Sequence, residues 1–149
     1  MSSHRIRRGS AADIEPVARL FREIRLACLP YLPDLHSPAE DLAFFRDHVF
    51  AEREIWLAEA ESLDGFCAYG GGWVDHLYVR PSSHGRGLGT ALLAKAMAAE
   101  ARLQLWVFQR NEPAIAFYRA RGFREMRRTD GSANEEREPD ALFEWTRAG

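Results

Sequence analysis

The stretch DHLYVRPSSHGRGLGTALLAKAM, residues 75–97, runs from an alternating apolar segment through three glycines at every second position into an alanine-rich apolar run. Leu88, Leu92 and Ala96, with their neighbours Leu93 and Met97, line one face at helical spacing, so the run reads as a helix entered from a strand through a glycine turn. Glycine lets a backbone approach an anion with its N–H groups turned inward. The helix start presents unpaired N–H groups and its positive dipole end to the same point. Two readings follow for Gly85, Gly87 and Gly89: a phosphate cradle, to which Arg80 and Arg86 could add charge, or a tight connection that uses glycine for positive φ alone. The common nucleotide loops are excluded. A Walker A loop needs a lysine before its Ser or Thr, whereas Thr90 follows Gly89 directly, and GxGxG is not the GxGxxG of a dinucleotide fold.

Working outward, His4 to Arg8 reads as a first strand. Ile14, Val17, Ala18, Phe21 and Ile24 then recur as a helix running to about Ala27, with Asp13 as N-cap and Pro16 in the first turn. CLPYLPDLHSP holds three prolines and reads as a shaped connection. Ser37 caps a second helix with Pro38 and Glu40 in its first turn and Leu42, Phe45, Val49 and Phe50 on its apolar side. EIWLAEA, GFCAYGGG and WVDHLYV read as three successive antiparallel strands. Beyond the glycine helix come RLQLWVF as a strand, NEPAIAFYRARG as a short helix ended by Gly122, and FREMRR and ALFEWT as a final pair of strands. The order β-α-α-β-β-β-α-β-α-β-β predicts one α/β domain over residues 1–149.

Composition agrees with one globular unit: 149 residues, 46% hydrophobic. No apolar run approaches membrane-spanning length, so a soluble cytoplasmic protein with no membrane partner is expected. Cys28 and Cys67 have no metal-ligand spacing and read as small hydrophobes, and no metal is expected. The net charge of −2 gives no global attraction to nucleic acid.

DHLYVRPSSHGRGLGTALL resembles the central motif of the GNAT superfamily of N-acetyltransferases. There a bulged strand enters a Gln/Arg-x-x-Gly-x-Gly/Ala loop whose amides hold the pyrophosphate of acetyl-CoA. The match falls on His84-Gly85-Arg86-Gly87-Leu88-Gly89, with His84 where the family usually has Gln or Arg. NEPAIAFYRARGF, residues 111–123, is similar to the family's second signature, N-x-x-A-x-x-F-Y. The resemblance covers the whole order of elements and implies the acyl-CoA N-acyltransferase fold, a mixed and largely antiparallel sheet flanked by helices.

What the resemblance implies about chemistry can be set against each residue. The main chain of Leu77, Tyr78 and Val79 would lie along the pantetheine arm of acetyl-CoA, and the loop His84 to Thr90 would hold its phosphates. Asn111 would contact the pantetheine arm, and Tyr118, two helical turns further on the same face, would be the acid for the CoA sulfur. On their own residues, Asn111 also reads as an N-cap and Tyr118 as packing beside Phe117. The general base is left among Asp75, His76 and a water chain, and strand alternation lets at most one of the two side chains face the cleft.

In this fold the acceptor would enter between PYLPDLHSP, with Tyr31, Asp34 and His36, and TDGSANEEREPD, with Glu135, Glu136, Glu138 and Asp140. The acidic second loop suits a cationic amine, such as a polyamine, an aminoglycoside or a lysine-bearing peptide, or is simply a solvated loop. The expected activity is acetyl transfer from acetyl-CoA to a primary amine of a small molecule or peptide, by direct attack in a ternary complex. The competing reading is a CoA-binding sensor or interaction module without turnover. Arg119 to Arg128 reads as helix surface or as support for CoA phosphates, with no nucleic-acid partner expected. Exposed strand edges admit a homodimer.

Overall fold

Seven strands pair into one sheet in the computed structural model, which describes residues 4–147. They are β1 (Arg5–Arg8), β2 (Glu54–Glu59), β3 (Leu63–Gly70), β4 (Trp73–Val79), β5 (Arg102–Phe108), β6 (Arg124–Arg128) and β7 (Asp140–Thr146). Their order across the sheet is β1-β2-β3-β4-β5-β7-β6, and every neighbouring pair is antiparallel except β4 with β5. The mixed, largely antiparallel sheet that the resemblance implies is the one observed.

Helices cover both faces. On one side α1 (Ile14–Cys28), α2 (Pro38–Phe44), a π-helical turn (Phe45–Val49) and the short α3 (Phe50–Glu52) pack Val17, Leu20, Phe21, Phe45 and Val49 against Leu57, Phe66 and Ala68. On the other, α4 (Leu88–Ala99) and α5 (Glu112–Ala120) pack Leu88, Leu92, Leu93 and Tyr118 against Cys67, Val74, Leu103 and Leu105. β3 is buried on both faces, which is why its sequence from Gly65 to Tyr69, beyond the paired Asp64, is an apolar run instead of an alternation. No helix among the described residues is long and apolar enough to cross a membrane.

The helix starts follow their expected residues with one difference. The Ser37 hydroxyl accepts from the Glu40 amide at 3.1 Å while the Glu40 carboxylate accepts from the Ser37 amide at 2.9 Å, a reciprocal cap. Asp13 stands at the N-cap position of α1, but its carboxylate makes no cap bond there. A 3-10 turn, Ala11–Asp13, precedes the helix and aims the side chain backward. It accepts instead from the Ser10 amide at 2.8 Å and from the Arg7 guanidinium at 2.8 and 3.0 Å, tying the start of α1 to β1.

Two irregularities shape β4. The register with β3 shifts between Ala68 opposite His76 and Tyr69 opposite Val74, so Asp75 is an extra, bulged residue. The pairing with β5 consists of Trp73 opposite Gln104 alone. Beyond that pair the two parallel strands part.

The π-helical turn places Phe45, fully buried, in contact with the rings of Phe21, Phe66 and His76. Phe45→Ala is therefore expected to lower unfolding free energy by about 3–5 kcal/mol, measured by urea denaturation; a loss under about 1 kcal/mol would show that this face of the sheet collapses around the cavity.

Candidate functional site

Where β4 and β5 part, a cavity of about 410 Å³ opens between the end of β4, the glycine loop and α5. Leu77, Tyr78 and Val79 form one wall, and His84, Gly85, Gly87, Leu88, Gly89 and Thr90 form the next. Asn111 and Tyr118 complete it from α5. Thus segments more than thirty residues apart in the sequence converge on one hollow. Of Leu77 to Val79, His84 to Thr90, Asn111 and Tyr118, the residues expected along acetyl-CoA, Arg86 alone is outside its lining, exposed between the two turn glycines.

The loop has the geometry of an anion cradle. Gly85 and Gly87 sit at φ of 81° and 75°, where an L side chain is strained, and the space a Cβ would take at either is open. Gly87 is the N-cap of α4, so the helix begins directly at the cavity. Gly89 does a different job: a Cβ there would lie 3.2 Å from the Phe117 ring, so its absence lets α4 and α5 approach. Arg80 points away from the cradle, bound to Asp64 at 3.2 Å, to the Leu63 carbonyl at 3.0 Å and to Glu23. The expectation that Arg80 could add charge to the loop is not met, because these partners lie on β3 and α1.

His84 folds its ring back on the strand, with Nε2 donating to the Val79 carbonyl at 2.7 Å. Asn111 accepts from the Ala114 amide at 3.3 Å as a helix cap while also lining the cavity, so the two readings of this residue are compatible. Thr90 accepts two bonds from Arg121, at 2.6 and 3.0 Å, and that guanidinium stacks 3.7 Å from the Phe117 ring centre. Arg121, from the arginine run expected as helix surface or as support for CoA phosphates, lines the cavity, as do Phe117 and, at the end of α1, Ile24, Cys28 and Leu29, which were not anticipated. Their types resemble ordinary core and helix-surface residues, and the sequence carries no signal that sets them apart.

Tyr118 is buried, its ring packed edge-on against Phe117 and Phe123 at 5.3 and 5.4 Å. Burial, reinforced by Cys67 and Tyr78, pushes its phenol far above the usual tyrosine range, so it stays protonated. The Cys67 thiol behind it is pushed up to about 12 by the same desolvation and by Asp75.

A second cleft, about 780 Å³, lies on the α1 and α2 side of β4. Asp34, His36, Glu135 and Glu136 from the two expected loops line it, together with Asp75, His76 and the aromatic side chains of Phe21, Phe44 and Trp106. Two ion pairs span it: His36 Nε2 to Glu135 at 2.6 Å joins the two loops, and Arg25 of α1 to Glu136 at 2.8 Å ties the acidic loop to the helix. Three expected residues are absent from its lining. Tyr31 lies under the Arg110 guanidinium at 4.9 Å, Glu138 pairs with Arg110 at 2.9 Å, and Asp140 accepts from Asn134 at 3.1 Å.

Asp75 and His76 differ sharply. Asp75 is exposed on its bulge and paired with Arg53. The His76 ring is enclosed by Phe21, Phe44, Phe45, Phe66 and Tyr78 at 5.4–6.2 Å, and its Nδ1 has no hydrogen-bond partner among the described residues. Desolvation lowers it to about 4, against a smaller opposing pull from Asp75. No group of three or more His, Cys, Asp or Glu among the described residues could hold a metal ion.

A sheet parted at β4 and β5, a glycine cradle at a helix start and a cavity along the open strand edge define an acyltransferase-type architecture. Residues 51–125, half of the chain, match the family model described as an acetyltransferase (GNAT) domain, and the chain belongs to that family. It is 36% identical over 80 residues to the peptidyl-lysine N-acetyltransferase YiaC of Escherichia coli K12, covering 52% of this chain and 55% of that one. It is 31% identical over 81 residues to the peptidyl-lysine N-acetyltransferase YjaB of the same organism, covering 53% and 55%. The chain thus spans about half the length of the curated relatives it matches. In structure it is similar to apo YjaB from Escherichia coli, with a TM-score of 0.77, 23% identity and coverage of 96% and 97% of the two chains.

His76 gives a stability prediction. In the unfolded chain it protonates near 6.5, but in the fold only near 4, so stability is complete above pH 6.5 and is lost as pH falls toward 4. His76→Gln is expected to be less stable than wild type at pH 7 and to lose about 2–3 kcal/mol less between pH 7 and pH 4, followed by urea titrations at the two pH values. Equal losses in both proteins would show that the ring is open to solvent.

Proposed function

We propose that the protein is an acetyl-CoA-dependent N-acetyltransferase that acts on a primary amine in a ternary complex. One observation carries the reading: two separate cavities, one beside a glycine anion cradle and one with an acidic rim, share Leu29 and Tyr78 as wall residues near the end of β4. When bound, acetyl-CoA supplies an activated acetyl thioester. The open space over Gly85 and Gly87 and the start of α4 fit its pyrophosphate, and the edge of Leu77, Tyr78 and Val79 fits the pantetheine arm. His84 fixes the loop to β4, and Arg121 brings positive charge to the first turn of α4 through Thr90.

Tyr118 is the acid. Its burial keeps the proton on the phenol, so the hydroxyl stands in the wall of the cofactor cavity as a donor to the departing sulfur. Asn111 holds the first turn of α5 and so sets where Tyr118 stands two turns later. For the amine proton, neutral His76 is too weak a base at pH 7 and Asp75 is engaged by Arg53, which favours a water route through the cleft.

The acceptor enters the second cleft, whose lining carries seven carboxylates (Asp34, Glu40, Asp41, Asp47, Asp75, Glu135 and Glu136) against Arg22 and Arg25. That excess of negative charge supports a cationic amine. The two curated relatives named for peptidyl-lysine make a lysine-bearing peptide the first acceptor to test.

Tyr118→Phe is expected to lower turnover by about 10²-fold with acetyl-CoA affinity nearly unchanged, followed by release of the CoA thiol during a screen of lysine peptides, polyamines and aminoglycosides. Unchanged turnover removes Tyr118 as the acid. Tight CoA binding by the wild type with no turnover across the whole screen supports the binding module instead.

A further inference from the structure

Among the described residues only Leu29 and Tyr78 line both cavities. An amine in the acidic cleft and an acetyl group in the cofactor cavity can meet only along that seam, so whatever orients the nitrogen must stand there. Leu29 has no polar atom beyond its backbone. Tyr78 does, and its side chain is rigidly held, edge-on to Phe21 at 5.5 Å and stacked obliquely on Phe66 at 5.6 Å.

The surroundings of the phenol mark its two sides. Arg25 and Glu136, paired at 2.8 Å, act on it from the cleft, while Tyr118 feels it from the cofactor cavity. Burial pushes the Tyr78 phenol up and the Arg25 charge draws it down, and the first effect is the larger, so the hydroxyl is neutral at pH 7. A neutral phenol has one donor and two acceptor positions. With Arg25 on one side, an acceptor position remains for an amine N–H.

We propose that Tyr78 is the residue that orients the acceptor: its phenolic oxygen, on the seam between the cavities, accepts a hydrogen bond from the incoming amine and turns the nitrogen lone pair toward the cofactor cavity. Arg25, fixed by Glu136, is a positioning residue for that hydroxyl. The inference rests on the two-cavity reading above and adds a side-chain role to a residue whose main chain alone was expected to matter. It also separates the two tyrosines, Tyr118 serving the sulfur and Tyr78 the nitrogen.

The test compares wild type and Tyr78→Phe, which keeps the ring and its packing, by calorimetric titration with two probes. One is CoA. The other is a conjugate in which the CoA sulfur is joined through a two-carbon acetyl-like linker to the side-chain nitrogen of a lysine peptide. Wild type should bind the conjugate more tightly than CoA. Tyr78→Phe should bind CoA equally well but lose about 3–10-fold of the advantage of the conjugate, the value of one hydrogen bond. Arg25→Gln should lose part of it, without touching the ring. In steady state, kcat/KM for the amine should fall while KM for acetyl-CoA holds. An undiminished conjugate advantage in Tyr78→Phe, or none in wild type, overturns the role of Tyr78. Failure of wild type to bind CoA at all overturns the cofactor reading itself, a separate outcome.

Discussion

One residue pair, Trp73 opposite Gln104, joins the two halves of the sheet, and everything near the candidate site depends on the strands parting after it. Apart from the bulged Asp75, β4 remains paired with β3 through Gly65 opposite Val79. Its backbone groups on the β5 side, from the bulge onward, have no partner strand. In a sheet interior such an edge would be costly. Here it forms the wall of a cavity on one side and the floor of a cleft on the other. The extra residue at Asp75 also resets the alternation, so that Val74, Leu77 and Val79 face α4 while His76 and Tyr78 face α1.

The chemistry of the region is set by desolvation more than by ion pairs. Three groups buried along β3, β4 and α5, the Cys67 thiol, the His76 imidazole and the Tyr118 phenol, are all held in their neutral forms by their surroundings. The charged residues lie at the rims and are mostly paired with one another, as Arg25 is with Glu136 and Arg22 with Asp34 and Asp41. The result is an apolar seam between two polar mouths. Neutral groups that can donate or accept a proton there act in a low dielectric, where a hydrogen bond to a reacting atom is worth more than in water.

Much of this arrangement was legible in the chain, and the illegible parts have a common cause. The elements, the glycine turn and the capping of α2 by Ser37 follow from local rules, since helix periodicity, positive φ and cap chemistry act over a few residues. The cap expected at Asp13 is redirected because its carboxylate pairs with Arg7 of β1 and accepts from the Ser10 amide before the 3-10 turn, and Arg80 turns from the loop because its partners Asp64 and Glu23 are distant in sequence. Phe117 and the end of α1 were missed in the cavity wall because nothing in their types distinguishes a lining residue from packing.

By itself the sequence determined the order of elements, and its two motifs, through their resemblance to the GNAT superfamily, the mixed sheet and the family, because spacing and glycine placement are local properties that survive without knowledge of contacts. Only the tertiary structure decided that the bulge falls on Asp75, that the His76 ring is surrounded by aromatic rings in the wall of the cleft, and that Tyr78 is the polar side chain on the seam. Those outcomes depend on which strand leaves which neighbour and on what packs across the gap, and burial of that kind is a property of the assembled sheet and helices, not of any stretch of chain.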